Sequence, residues 1–197
     1  MPIPPEIAIA TRNAHKVGEI RAICADWSTT WRTADDDWPD VEETGRTYLD
    51  NARLKAHAIA AATGVAALAD DSGIEVDALG GAPGPRSARY AGADATDAEN
   101  LDALLDALRG IPGLGRGARY RCVVVLAMPD GTEVVAEGVC EGTLASRPRG
   151  EGGFGYDPAF VPAGWDVTLA ELPPGEKDRI SHRGRALRAL RVLLEAS

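Results

Sequence analysis

The chain has 197 residues, 45% apolar and 26% charged, an ordinary globular composition that excludes disordered, collagen-like and low-complexity classes. A chain of this length buries roughly 70% of the surface it exposes when unfolded, enough for one compact domain without staples. With 21 basic against 30 acidic residues and a formal charge of -9, it lacks the basic surface that a nucleic-acid backbone demands, whereas a few local cations suffice to hold a small nucleotide.

The first predicted element is a short buried strand at Ile7 to Ala10. A helix follows from Asn13, with Val17, Ile20, Ile23 and Trp27 recurring at three- and four-residue steps. Ser28 to Glu43 is polar and aspartate-rich and is expected to be a long loop, with room for a short strand. Thr47 and Asp50 form a capping box, and the helix it opens carries Leu49, Ala52, Ala56, Ile59 and Ala60 on one face before stopping at Gly64. Val65 to Ala69 predicts a strand that ends at Asp70-Asp71-Ser72-Gly73, with a second strand from Ile74 to Leu79. Gly80 to Gly92 is expected to be a loop. Thr96 and Glu99 cap another helix, whose face is Leu101, Leu104, Leu105 and Leu108. Tyr120 to Met128, a Pro129-Asp130-Gly131 turn and Thr132 to Leu144 predict a long hairpin. Gly150 to Pro162 is glycine-rich, and a last helix runs from about Ser181 to Glu195. Strands alternating with helices, plus a long β-hairpin, imply an α/β fold: a single domain over residues 1–197 with a mixed central sheet.

The three cysteines, Cys24, Cys122 and Cys140, are odd in number and lack C-x-x-C spacing, so neither a disulfide framework nor a zinc site is expected, and a reducing cytoplasm is. Met1 to Glu6 lacks the features of a signal peptide, and the longest uncharged apolar run, Ile59 to Ala69, is too short to span a bilayer, so no membrane role is expected. Among arginine-dominated basic residues stand only three lysines, Lys16, Lys55 and Lys177.

Four segments carry chemistry. Thr11-Arg12-Asn13-Ala14-His15-Lys16 lies between a strand and a helix, where free backbone N–H groups and the helix dipole favour an anion and Lys16 can reach a phosphate. Equally, Asn13 can simply cap the helix while Lys16 is solvated. Asp70 and Asp71, with Glu42 and Glu43 on the earlier loop, suit a hard cation such as Mg²⁺ and the activation of a water; the alternative is a capped turn ahead of Gly73. Gly152-Gly153-Phe154-Gly155-Tyr156-Asp157-Pro158 brings glycines around an aromatic that can stack on a base, or forms a tight turn anchored by Phe154 and Tyr156. Lys177 and Ser181-His182-Arg183-Gly184 place donors at a helix start, where they work against the dipole. Arg86 and Arg89 can neutralise phosphates or sit in solvent.

In this order the segments resemble the inosine triphosphate pyrophosphatase family, the non-canonical purine nucleoside triphosphate pyrophosphatases of the dITP/XTP type. Thr11 to Lys16 matches its T-x-N-x-x-K, Glu42-Glu43-Thr44-Gly45 its acidic loop, and Ala69 to Gly92 its longest signature; Gly152 to Pro158 and Ser181 to Gly184 match GGFGYDP and SHRG. The resemblance implies two lobes around a nucleotide-binding cleft, a homodimer, and Mg²⁺-dependent hydrolysis of ITP, dITP and XTP to monophosphate and pyrophosphate. It further implies that Thr11, Asn13 and Lys16 bind the triphosphate, with Arg12, Ala14 and His15 beside them. Glu43 and Asp71 would bind Mg²⁺, Asp71 would accept the proton, and Asp70 and Ser72 would support it. Phe154, Gly155, Tyr156, Asp157, Lys177, His182 and Arg183 would hold the base and sugar. Arg12 departs from the small residue often found there, and Asp35-Asp36-Asp37-Trp38 has no counterpart. Two other readings compete: the related septum-associated nucleotide pyrophosphatases, and a nucleotide sensor that binds without cleaving.

Overall fold

The computed structural model describes residues 2–33 and 38–196. Asp35, Asp36 and Asp37 of the unmatched loop lie outside the described residues. A six-stranded sheet runs in the order β2-β1-β3-β4-β5-β6, formed by β1 (Glu6–Ile9), β2 (Thr30–Thr33), β3 (Ala66–Val76), β4 (Gly117–Ala127), β5 (Glu133–Leu144) and β6 (Phe160–Pro162). The helices are α1 (Ala14–Ile23), α2 (Tyr48–Thr63), α3 (Asp97–Ala107), α4 (Pro174–Ile180) and α5 (His182–Ala196). β1 is parallel to both β2 and β3, with Ile7 opposite Trp31 on one side and Ala66 on the other, while β5 and β6 are antiparallel. The sheet is therefore mixed and the fold class is the expected one.

Local chemistry sets most boundaries as expected. Asn13 Oδ1 accepts the N–H groups of His15 at 2.9 Å and Lys16 at 3.2 Å, which opens α1. Both capping boxes form, Thr47 with Asp50 and Thr96 with Glu99. Gly64 ends α2 in the left-handed conformation at φ 70°, where a side chain would be strained. The β4–β5 hairpin turns where expected, with Met128 N–H donating to the Thr132 carbonyl at 2.8 Å.

Three expectations are corrected. Val65 to Leu79 is not two strands broken at Asp70: β3 runs unbroken from Ala66 to Val76, and the two aspartates sit in its middle. Turn chemistry is overridden there although β1 pairs with β3 only from Ala66 to Leu68: β4, its other sheet neighbour, continues beside β3, and cations meet the carboxylates. The predicted loop at Gly80 to Gly92 holds a 3₁₀ turn at Gly84–Arg89, and segments given no element hold the short strand β6 and α4, whose seven residues are too few to show a helical stripe. Finally, α1 stops at Ile23, and Trp27 reaches the core from beyond the helix end.

The chain divides into two compact units. The first takes Met1–Asp71, Cys122–Gly138 and His182–Ser197, over its described residues; the second takes Ser72–Arg121 and Val139–Ser181. In the first, Ile7, Ile9, Ile20, Leu68, Val124, Leu126, Leu187 and Leu190 form one core cluster, and Ala52, Ala56 and Ala60 of α2 meet Ala8, Ala67 and Val125 in another. In the second, Ile74, Val76, Leu101, Leu104, Leu108, Tyr120, Phe160 and Leu169 pack together, with the Tyr120 and Phe160 rings 4.8 Å apart. Each fully buried leucine or isoleucine contributes about 1.5–3 kcal/mol, so each unit has a substantial core of its own.

Candidate active site

In the first unit three cations converge on the two aspartates of β3. Successive side chains of a strand point to opposite faces, so neighbours in sequence meet different partners. Asp70 receives Arg183 Nη2 at 2.9 Å and Lys16 Nζ at 3.2 Å. The other end of the Arg183 guanidinium pairs with Glu19. Lys55 of α2 reaches the Glu43 carboxylate at 2.6 Å, the Asp70 carbonyl at 2.7 Å and Asp71 Oδ1 at 4.0 Å. Asn51, one turn earlier on α2, donates from Nδ2 to Asp71 Oδ2 at 3.0 Å and accepts the Gly45 N–H on Oδ1 at 2.8 Å.

These surroundings push the two carboxyls in opposite directions. Burial opposes ionisation of Asp70, yet Arg183, Lys16 and Lys55 together hold its carboxyl well below the usual carboxylate range. For Asp71, burial is the largest influence and pushes the carboxyl up, Lys55 and Lys16 pull it down, and Glu43 adds to the rise. Burial likewise works against the charges of Lys55 and Arg183, but their carboxylates raise both above their ordinary values. Asp70 is thus a fixed counter-ion, and Asp71 is the carboxylate whose proton affinity is tuned upward.

Glu43 and Asp71 both face the Lys55 ammonium, so two carboxylates from separate stretches present oxygens to one place. Among the described residues no group of three or more His, Cys, Asp or Glu side chains is arranged to hold a metal. Two carboxylates are nevertheless the oxygen donor set that fits a hard cation which keeps several waters and takes its remaining ligands from phosphate.

Around this cluster, Thr11 Oγ1 accepts the Asn13 N–H at 3.2 Å, Ala14 and His15 are exposed in the first turn of α1, and Arg12 Nη2 donates to the Trp38 carbonyl at 2.9 Å. His182, 5% exposed, is the first residue of α5.

The second unit gathers the aromatic group. Asp157 Oδ2 accepts the Phe154 N–H at 2.9 Å and Lys177 Nζ at 2.6 Å, and that ammonium stands 4.9 Å from the centre of the Phe154 ring. Asp97 Oδ2, in the first turn of α3, accepts the Gly155 N–H at 2.9 Å. Tyr156 is turned inward, donating from its hydroxyl to the Ser87 carbonyl at 2.7 Å, so it braces the Gly84–Arg89 turn. Ser72 is half-buried in β3. Phe154 is half-buried.

Motif reading missed Lys55, Asn51 and Glu19. Lys55 alone had a signal: the rarity of lysine in this chain. All three lysines are paired with acids of these groups, Lys16 with Asp70, Lys55 with Glu43 and Lys177 with Asp157.

Known proteins resemble this chain along nearly its full length. A dITP/XTP pyrophosphatase of Streptomyces avermitilis is 53% identical over 188 residues, covering 93% of this chain and 94% of that protein. The structure of a HAM1 protein from Coxiella burnetii superposes with a TM-score of 0.87 at 42% identity, covering 98% of this chain and 99% of that one. The crystal structure of a nucleoside-triphosphatase / dITP/XTP pyrophosphatase from Mycobacterium abscessus gives a TM-score of 0.75 at 45% identity, covering 94% and 98%. The Ham1 family itself is matched from residue 7 to residue 193, a span that takes in every motif from Thr11 to Gly184, and the chain belongs to that family.

Proposed function

We propose that this chain hydrolyses the non-canonical purine nucleoside triphosphates ITP, dITP and XTP to the monophosphate and pyrophosphate, and so cleanses the nucleotide pool. The observation that carries this reading is the meeting of Glu43 and Asp71 on Lys55, in the unit where Lys16 and the N-terminus of α1 offer positive charge to a polyphosphate. The dITP/XTP pyrophosphatase names of the relatives in Streptomyces avermitilis and Mycobacterium abscessus supply the substrate class.

Thr11, Asn13 and Lys16 bind the triphosphate, and Lys55 adds a second cation beside the carboxylates. Glu43 and Asp71 would hold Mg²⁺, which when bound would screen the phosphate oxygens and stabilise the charge that builds on them. Asp71 accepts the proton of the attacking water. Asp70 does not share that task, because Arg183 and Lys16 keep it ionised and engaged.

Phe154 stacks on the base, and Asp157 and Lys177 hold the loop that presents it. A donor from His182 or Arg183 to the purine 6-oxo oxygen favours hypoxanthine and xanthine, because adenine offers an amino donor there and leaves the protein's donor unpaired. For Arg183 this competes with its carboxylate partners. The cytoplasm is the proposed location, in keeping with three buried cysteines of which none is in a disulfide, and a homodimer, to be checked by sedimentation, is the proposed assembly. Among the described residues no helix is long and apolar enough to cross a membrane.

The test is a triphosphate panel with pyrophosphate detection. We expect Mg²⁺-dependent release of pyrophosphate from dITP, ITP and XTP, much slower release from ATP and GTP, and loss of turnover in EDTA. Faster turnover of dTTP or UTP would transfer the chain to the septum-associated activity. Tight binding of dITP without turnover across divalent metals would make it a sensor.

A further inference from the structure

Asn51 is wholly buried, at 0% exposure, in the first turns of α2. Its amide is used at both ends: Nδ2 donates to Asp71 Oδ2 at 3.0 Å, and Oδ1 accepts the Gly45 N–H at 2.8 Å. The orientation is forced, since turning the amide over would set an oxygen against a carboxylate and an NH₂ group against an N–H. The approach of the loop is forced as well. A Cβ on Gly45 would lie 2.5 Å from Asn51 Oδ1 and 2.9 Å from the Asn51 backbone nitrogen, closer than side chains tolerate.

Lys55 lies one helical turn beyond Asn51 and so shares its face of α2. The two side chains make the same pair of connections. Asn51 joins Asp71 to Gly45, and Lys55 joins the Asp70 carbonyl to Glu43. Helix α2 therefore clips the acidic loop to β3 at two points. Lys55, being charged, can exchange Glu43 for a phosphate or yield its place to a cation. Asn51 is neutral and fully occupied.

We infer that Asn51 is a positioning residue that fixes Glu43 and Asp71 relative to one another, by bonding Asp71 directly and the Glu43 loop through Gly45. The inference rests on the pyrophosphatase reading above for its catalytic consequence, but its structural content is independent of the substrate.

Asn51→Asp separates the two bonds, because it keeps an acceptor for Gly45 and removes the donor to Asp71. Partners of this kind, acting behind the reacting groups, are worth roughly 10- to 100-fold in activity or metal affinity. We expect kcat with dITP to fall by about that factor, with little change in KM because the phosphate-binding residues are untouched. Binding of Mn²⁺ to the nucleotide-free protein, followed by electron paramagnetic resonance, should weaken in parallel. Gly45→Ala should act in the same direction from the loop side, and it carries the test if Asn51→Asp does not fold. Thr47→Ala, which weakens the cap of the same helix, should lower stability and leave kcat and Mn²⁺ affinity as they are. Wild-type kcat or wild-type Mn²⁺ affinity in folded Asn51→Asp overturns the inference. If instead the variants weaken Mn²⁺ binding while the wild-type protein cleaves no triphosphate, the proposed activity fails and the positioning role stands.

Discussion

Asp70 and Asp71 are adjacent, chemically identical and unequal in their surroundings. Asp70 is 1% exposed and faces Arg183 and Lys16; Asp71 is 5% exposed and faces Asn51 and Lys55. Asp71→Asn should cut turnover by about 10²–10⁴-fold, the usual worth of a positioned proton acceptor, while the urea midpoint stays near wild type. Near-normal activity would pass the proton to Glu43 or Asp70. Arg183→Ala should behave differently, because it takes from Asp70 and Glu19 the buried guanidinium they share. Loss of one partner of a buried pair costs about 3–5 kcal/mol, readable as a lower urea midpoint, and the preference for ITP over ATP should narrow with it. At this scale the motifs picked out acids and cations that the fold brings together. They did not show that Lys55 belongs with them, because a helical stripe reports which residues share a face and says nothing of what that face meets.

The elements show where local signals suffice. Capping boxes, the Gly64 stop and the Pro-Asp-Gly turn were legible because each depends on residues within one turn of chain. The continuity of β3 through Asp70 is not legible locally, because beyond Leu68 it depends on a neighbouring strand, β4, supplied from elsewhere in the chain. Helix α5, which carries His182 and Arg183, is seated on β5 by a glycine: a Cβ at Gly138 would run into the backbone of His182 and Ala186. Gly138→Ala should cost about 1–3 kcal/mol as an overpacked contact, seen as a lower melting temperature. It should also reduce turnover, since the helix start bearing Arg183 must shift. A melting temperature equal to wild type would mean that the helix end yields easily.

For the molecule as a whole, the thiols give a test of packing. Cys24, Cys122 and Cys140 are all buried, and none of the three is in a disulfide. Burial, with Asp26 adding to it, pushes the Cys24 thiol up to about 12, and burial with Asp70 nearby raises Cys122 as well. Since the thiolate is the reactive form, native protein at about pH 8 should resist alkylation and disulfide exchange. All three thiols should titrate once guanidinium unfolds the chain. Rapid reaction of one thiol in the native state would reveal a local opening that the packing does not suggest.

Sequence alone determined the alternation of strands and helices, their caps, the segments bearing acids and cations, and the family. All of these are written in short-range pattern and in spelling. Tertiary structure alone decided the pairing of charges: Arg183 with Asp70 across 113 positions, Lys55 with Glu43 across 12, and Asn51 with Asp71 across 20. The physical reason is range. Propensity and periodicity act over a turn of helix or a few strand residues, whereas the strength of an ion pair is set by distance and burial, which exist only after the core has closed.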